Sequence, residues 1–221
     1  MNDPNELLKR HQPKQVKVVN LDRQMTSLRY SPCGKFLAAG GYDGTLRRFD
    51  ATNEELPALA PLAGHSGWVT AVAFHPDGRR LFSVDSWGRL SAWAYSEAAP
   101  PLWSVEQAHN GWIRGMALSA DGATLATCGA DQRVCLRSPD DGSLRRELPA
   151  GDDVYSLAFH PQGALVSGDL HGTIKQWYVA NGAWVRAFEA RSMYLYDRIQ
   201  DVGGVRVLAF DRAGTTLVAG G

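Results

Sequence analysis

Residues 64–93 read GHSGWVTAVAFHPDGRRLFSVDSWGRLSAW, and residues 154–177 repeat the same pattern as VYSLAFHPQGALVSGDLHGTIKQW. In both stretches a run of alternating apolar and polar residues ends in a turn that contains Pro and Gly, and a second such run follows it. Two-residue alternation between Gly, Asp and Pro turns is typical of short antiparallel strands. The two stretches therefore predict an all-β fold built from hairpins.

The turn of this pattern recurs five times along the chain. The copies are YSPCG 30–34, FHPDG 74–78, LSADG 118–122, FHPQG 159–163 and FDRAG 210–214. Their spacing gives a period of about 44 residues, within which two further turns separate a third and a fourth strand. A period of this length with turns at fixed offsets indicates an array of one four-stranded antiparallel unit.

The two quoted stretches resemble WD40 repeats, and the resemblance covers roughly residues 16–221. It implies a WD40 β-propeller of about four and a half blades, each a four-stranded antiparallel sheet, in an incomplete ring. The implied organisation is a polar N-terminal tail over 1–15 and a partial propeller over 16–221. The blades start near residues 25, 69, 113, 154 and 205, and the last one is truncated.

The ends of the array predict an unusual closure. Residues 16–20 carry VKVV at the offset of a fourth strand, which in WD40 proteins latches the ring, but the fifth unit ends after its second predicted strand. Either the chain is the amino-terminal part of a longer propeller, or another chain closes the ring. An open blade edge exposes unpaired backbone groups and an apolar face, so self-association through it also stays open.

The resemblance also implies a structural hydrogen-bond network of His, Ser or Thr, Asp and Trp in each blade. By this pattern Trp87 stands where Asp is expected in the second unit, Arg137 replaces Trp in the third, and His171 takes the Asp place in the fourth. We therefore expect these networks to be incomplete. The implied members are Asp43, His65, Ser83, Trp93, His109, Thr127, Asp131, Ser167 and Trp177.

Composition excludes several classes of function. The chain has 23 basic and 23 acidic residues, so its formal charge is zero and nothing in its bulk charge favours nucleic acid. Three cysteines without a C-x-x-C pair indicate neither a disulfide framework nor a thiolate zinc site. The N-terminus lacks a secretion signal, and no apolar stretch suits a bilayer, so we expect a cytoplasmic location without membrane contact.

The sequence contains no motif for nucleophilic, phosphate-binding or metal-dependent catalysis. We therefore expect no enzyme activity, no cofactor and no metal, and the function that remains is recognition. In WD40 proteins the loops entering each blade and the turns between second and third strands form one rim, which commonly binds proteins or peptides. Carried onto this chain, the rim candidates are Trp68, Trp87, Trp112, Arg114, Tyr155, His171 and Arg206.

Two interpretations stay open for these rim residues and for the long segment 191–204: binding a partner, or packing against the blades themselves. The predicted function is a non-catalytic protein-interaction scaffold that binds a protein or peptide on the propeller rim. The alternative is a regulatory or substrate-gating propeller of a larger enzyme whose catalytic domain lies outside this chain.

Overall fold

The computed structural model describes residues 17–190, 194–197 and 200–221, with the backbone alone for 194–197 and 200–202. These residues contain twenty β-strands and no helix. Four four-stranded antiparallel sheets follow one another along the chain, and within each sheet the strands lie in sequence order. The sheets are the blades of a propeller, and they are not closed into a ring.

The strand bounds follow the predicted period. Blade 1 contains β1 Met25–Tyr30, β2 Phe36–Gly41, β3 Thr45–Asp50 and β4 Ala58–Ala63. Blade 2 contains β5 Val69–Phe74, β6 Arg80–Asp85, β7 Leu90–Ala94 and β8 Trp103–Val105. Blade 3 contains β9 Ile113–Leu118, β10 Leu125–Gly129, β11 Arg133–Arg137 and β12 Leu144–Pro149. Blade 4 contains β13 Val154–Phe159, β14 Leu165–Asp169, β15 Thr173–Tyr178 and β16 Ala183–Glu189.

Two hairpins complete the described chain. One pairs β17 Tyr194–Asp197 with β18 Gln200–Gly203, so this part of the predicted 191–204 loop is a β-hairpin. The other pairs β19 Val207–Phe210 with β20 Leu217–Gly220 and forms the first half of a fifth blade. Residues 191–193 and 198–199 lie outside the described residues, as do residues 1–15 of the predicted tail.

A glycine with positive φ closes the first turn of every unit. The left-handed region costs glycine little because it lacks Cβ, and so the turn can reverse the chain within a few residues. These glycines are Gly34, Gly78, Gly122, Gly163 and Gly214, with φ between 66° and 95°.

The apolar cores lie between the blades. The first strands of successive blades are neighbours, so β1 contacts β5, β5 contacts β9, β9 contacts β13 and β13 contacts β19. Four of the five core clusters draw residues from two adjacent sheets, as Leu46 of blade 1 and Trp93 of blade 2 do. Burial of a large apolar side chain contributes about 1.5–3 kcal/mol. Each blade is therefore stabilised mainly by its neighbours, as expected for repeat proteins.

Hydroxyl groups add a second link between neighbouring blades. Thr70 Oγ1 donates to the carbonyl of Ile113 at 2.6 Å, and Ser156 Oγ donates to the carbonyl of Val205 at 2.7 Å. Position 114 of blade 3 corresponds to Thr70 but carries arginine. This arginine does not make the hydroxyl bond to the next blade and lies at the rim instead.

The predicted latch strand is not formed over the described residues 17–20, which have no strand assignment. Val18 and Val19 are exposed there. A strand needs a partner with free backbone groups, and within the described residues the fifth sheet pairs β19 with β20. Among the described residues no helix is long and apolar enough to cross a membrane.

Candidate functional site

A complete hydrogen-bond network lies buried in blade 2. Trp93 Nε1 donates to Ser83 Oγ at 2.7 Å, Ser83 Oγ lies 2.6 Å from His65 Nε2, and His65 Nδ1 lies 2.9 Å from Asp85 Oδ2. Because the indole N–H can only donate and a carboxylate can only accept, Ser83 Oγ accepts from Trp93 and Nδ1–H of His65 donates to Asp85.

The prediction that blade 2 lacks the aspartate of this network is wrong. The network carboxylate is Asp85, the last residue of β6, and not position 87 in the turn. Alternate residues of a strand project to the same face, so a carboxylate two positions earlier can still reach the histidine ring. The repeat itself held a signal for this position, since Asp169 occupies the corresponding place at the end of β14.

Blade 3 builds the same network from the turn position. His109 Nδ1 lies 2.9 Å from Asp131 Oδ1, and His109 Nε2 lies 2.8 Å from Thr127 Oγ1. Burial lowers the pKa of His109 despite the neighbouring carboxylate, so the imidazole stays neutral. Arg137, in the place of the tryptophan, is buried and donates to the carbonyls of Ala108 and Gly142 at 2.6 and 3.1 Å.

Blades 1 and 4 keep only parts of the network. In blade 4 Trp177 Nε1 donates to Ser167 Oγ at 2.9 Å, but Gly151 stands where His109 stands in blade 3, as their equivalent backbone bonds show. In blade 1 Asp43 accepts the backbone N–H of Thr45 and two bonds from Arg47. Asp43 is thus an ion-pair residue of the turn and has no network histidine.

The presence or absence of the histidine reverses the electrostatics of the strand-end aspartate. Burial pushes the pKa of Asp85 upward, but the hydrogen bonds from His65 and from the N–H of Arg89 outweigh it, so its pKa is lowered. Burial raises the pKa of Asp169, and the N–H of Thr173 does not compensate. The histidine beside Asp85 therefore stabilises the ionised carboxylate in blade 2. In blade 4 no histidine of the described residues does so, and burial destabilises the ionised form of Asp169.

Aromatic side chains meet across the first three blades at the rim. The rings of Tyr42 and Trp68 lie 4.5 Å apart at 70°, and those of Trp68 and Trp112 lie 5.4 Å apart, also at 70°. These edge-to-face contacts stabilise the arrangement beyond the area that they bury. Trp68 and Trp112 nevertheless remain 42% and 39% exposed, so a large apolar surface faces solvent.

Arginines continue this line of contacts across blades 3 and 4 to the fifth sheet. The guanidinium carbon of Arg114 lies 4.8 Å from the ring centre of Trp112 and 4.7 Å from that of Tyr155. Arg206 lies 4.5 Å from the Tyr155 ring, and Arg114 Nη2 donates to Asp153 Oδ2 at 3.1 Å. We call the continuous set the rim ladder: Tyr42, Trp68, Trp112, Arg114, Tyr155 and Arg206.

The buried network also positions the rim of blade 2. Asp85 Oδ1 accepts the backbone N–H of Trp87 at 2.9 Å, while its other oxygen binds His65. Ser86 Oγ accepts the N–H of Trp68 at 3.0 Å, and the N–H of Ser86 donates to the carbonyl of Trp68 at 2.9 Å. Trp87, at 69% exposure, is therefore a solvent-exposed indole on a turn that a buried carboxylate holds in place.

Of the predicted rim residues, His171 lies apart from these ring contacts and bonds to Asp152 through Nδ1. The described part of the chain holds no group of three or more His, Cys, Asp or Glu side chains that could bind a metal. Cys33 is exposed, whereas Cys128 and Cys135 are buried, and burial raises the pKa of both. All three thiols are free.

A second set of histidines, at the opposite end of the strands, was not assigned a role from the sequence. His160 Nδ1 accepts the N–H of Gln162 at 3.0 Å, and Nε2–H donates to the carbonyl of Gly214 in the fifth sheet at 2.9 Å. His75 makes the corresponding contact with Gly122 of blade 3 at 3.1 Å. The signal was the repeated His-Pro turn, but the bonded carbonyl belongs to the next blade and is invisible in local sequence.

Comparison with known proteins places this geometry in a family. The family model described as WD domain, G-beta repeat matches residues 14–50, 57–93, 101–138 and 142–178, which together make up more than half of the chain.

Among curated proteins, telomerase protein component 1 of Rattus norvegicus is 31% identical over 151 residues, covering 65% of this chain and 6% of the relative. COMPASS component SWD1 of Saccharomyces cerevisiae is 30% identical over 105 residues, covering 46% and 24%. Actin-interacting protein 1 of Drosophila melanogaster is 39% identical over 61 residues, covering 28% and 10%.

The chain thus spans less than a quarter of the length of each of these relatives. The four matched repeats, the four-stranded blades and the His-Ser-Asp-Trp network of blade 2 agree with one another, and the chain belongs to the WD40 repeat family of β-propellers.

Proposed function

We propose that this protein is a non-catalytic interaction module that binds a protein or peptide segment across the rim ladder. The observation that carries the proposal is the unbroken series of ring and guanidinium contacts from Tyr42 to Arg206, which crosses from blade 1 to the fifth sheet. A surface of this kind is rigid before any partner arrives, so less conformational entropy is lost on binding.

The residue types support the same proposal. Trp, Tyr and Arg dominate measured interface energies because they bury much area and hydrogen-bond at their edges. Two polar atoms at the centre of the ladder, Arg114 Nε and Asp153 Oδ1, are buried without a hydrogen-bond partner. The WD40 fold supports protein binding in general, and the names of the relatives describe components of assemblies and an actin-interacting protein.

The proposal is tested with a displayed random-peptide library selected on the full 221-residue chain. Binding of the enriched peptides is then measured by fluorescence anisotropy on wild type, Arg114→Ala and Tyr155→Ala. Loss of a central interface anchor costs about 2 kcal/mol, which corresponds to roughly thirtyfold weaker binding.

Trp184→Ala is the control, because Trp184 is a large exposed side chain that lies on the outer strand β16, away from the rim ladder. It is expected to leave the affinity unchanged. The proposal that the rim ladder binds the peptide would be refuted if the enriched peptides bound Arg114→Ala and Tyr155→Ala as tightly as wild type. It would also be refuted if Trp184→Ala weakened their binding.

A further inference from the structure

One part of the rim ladder opens into a pocket. The pocket has a volume of about 390 Å³ and lies between the turns of blades 1 and 2 and the start of blade 3. Four aromatic side chains, one carboxylate and two serines surround it. Its lining is Tyr42, Asp43, Ser66, Gly67, Trp68, Ser86, Trp87 and Trp112.

The aromatic walls stand at steep angles to one another. Trp68 lies at 70° to both Tyr42 and Trp112, and Trp87 occupies the adjacent turn. Gly67 makes room for this indole, because a Cβ at that position would lie 3.0 Å from Trp87 Cδ1. A pocket with several such walls presents more than one electron-rich ring face to a group that enters it.

The charges near the pocket favour a cation. Asp22 and Asp43 both accept from Arg47, so two carboxylates share one guanidinium. Asp85, which accepts the backbone N–H of Trp87 at 2.9 Å, adds a third carboxylate. The excess of carboxylates makes the potential in the pocket negative.

The arginines near these rings are already paired: Arg114, whose guanidinium lies 4.8 Å from the ring centre of Trp112, donates to Asp153 Oδ2 at 3.1 Å. Arg89 forms an ion pair with Glu106 at 3.3 Å, and it donates to the hydroxyls of Ser91 and Ser104. This arginine therefore does not offset the carboxylates that border the pocket.

The two halves of the rim ladder differ in how their rings are covered. In blades 3 and 4 Arg114 and Arg206 lie over Trp112 and Tyr155. Within 17–190 and the other described ranges, no arginine or lysine lies over Tyr42, Trp68 or Trp87. In blades 3 and 4 the protein's own arginines thus lie over the aromatic rings of the rim, whereas in blades 1 and 2 no such cation of the described residues covers them.

We propose that this pocket binds a cationic side chain of the partner peptide, an arginine or a methylated lysine. The inference rests on the proposed function and names the chemistry of the residue that anchors the peptide. Guanidinium and methylated ammonium groups are weakly hydrated, so transfer from water to a ring face costs them less than it costs an unmodified lysine. The peptide backbone then extends from the pocket toward the Arg114 end of the ladder.

The test uses short peptides that occupy only the pocket. Acetyl-Gly-Arg-Gly-amide and its trimethyllysine counterpart are titrated into the full chain, and indole N–H shifts are followed by NMR. The matched neutral probes carry citrulline in place of arginine and a tert-butyl group in place of the trimethylammonium. A cation over an aromatic face gains enough free energy for about tenfold tighter binding than its neutral isostere.

The expected result is that the indoles of Trp68, Trp87 and Trp112 shift with the cationic peptides at about tenfold lower concentration than with the neutral ones. Trp184 provides an internal control, since it is 62% exposed on another surface, and it should not move. Trp87→Leu should abolish the preference for the cation. Asp43→Asn should weaken the cationic probes and leave the neutral ones unchanged.

Equal responses to cationic and neutral peptides would overturn the proposal, and so would shifts of Trp184 as large as those of the pocket indoles. Failure here is separable from failure of the proposed function. The short peptides report on the pocket alone, whereas the library peptides measured on Arg114→Ala and Tyr155→Ala report on the ladder as a whole.

Discussion

Ser83 joins the two halves of the buried network in blade 2, and its removal gives a sharp test of that network. Its hydroxyl is fully buried, accepts the indole N–H of Trp93 and lies within hydrogen-bond distance, 2.6 Å, of Nε2 of His65. Ser83→Ala deletes both bonds and leaves two buried polar groups without a partner. Each such group costs about 1–3 kcal/mol, so the expected loss is about 2–6 kcal/mol.

Blade 4 supplies the matched control. Ser167 occupies the same place and accepts the same bond from Trp177, but Gly151 replaces the histidine. Ser167→Ala therefore leaves a single orphaned group, and the expected loss is about 1–3 kcal/mol. The ratio of the two losses, about two to one, follows from the hydrogen-bond inventory alone.

The assay is urea unfolding of wild type and both variants at pH 7, followed by far-ultraviolet circular dichroism. The midpoints report the loss of stability if the slopes of the transitions agree. A Ser83→Ala variant no less stable than Ser167→Ala would refute the assignment of His65 and Asp85 to one network with Ser83.

Four further outcomes are expected. Asp169→Asn should raise the unfolding midpoint at pH 7 and give no gain below about pH 3.9, because a raised folded pKa means that stability is lost as the pH rises through it. Asp85→Asn should lower the midpoint at pH 7, since the folded pKa is lowered and the stability is present only above it. Gly214→Ala should cost about 1–3 kcal/mol in the same unfolding assay, because its φ is +73° and its Cβ would lie 2.4 Å from His160 Nε2. In the folded protein a maleimide should label Cys33 alone, as the two buried thiols have raised pKa values, and mass spectrometry would show a second adduct if this were wrong.

Much of the blade architecture was predictable because its determinants are local. Alternation such as VTAVAF 69–74 specifies a strand, and a glycine at the same offset in every unit specifies the turn that follows it. Both signals recur with the period of the repeat. The strands that begin at Met25, Val69, Ile113 and Val154 could therefore be predicted without any knowledge of tertiary contacts.

The latch strand shows where local signals stop. VKVV has the composition of a strand, but a strand exists only when another strand offers free N–H and C=O groups. Residues 17–20 have no such neighbour among the described residues. The residues of VKVV have a high propensity for strands, but this propensity alone does not form a strand.

The sequence by itself determined the repeat, the strands and the residue types on the rim, since these depend on neighbours within one unit. Only the tertiary structure decided which of two aspartate positions meets His65, and that Trp68 reaches Trp112 while Arg114 reaches Tyr155. Those contacts join residues of different strands or blades, and distances across them are set by how the sheets pack. The local sequence determines which side chains a unit carries, but the packing of one blade on the next determines which side chains come into contact.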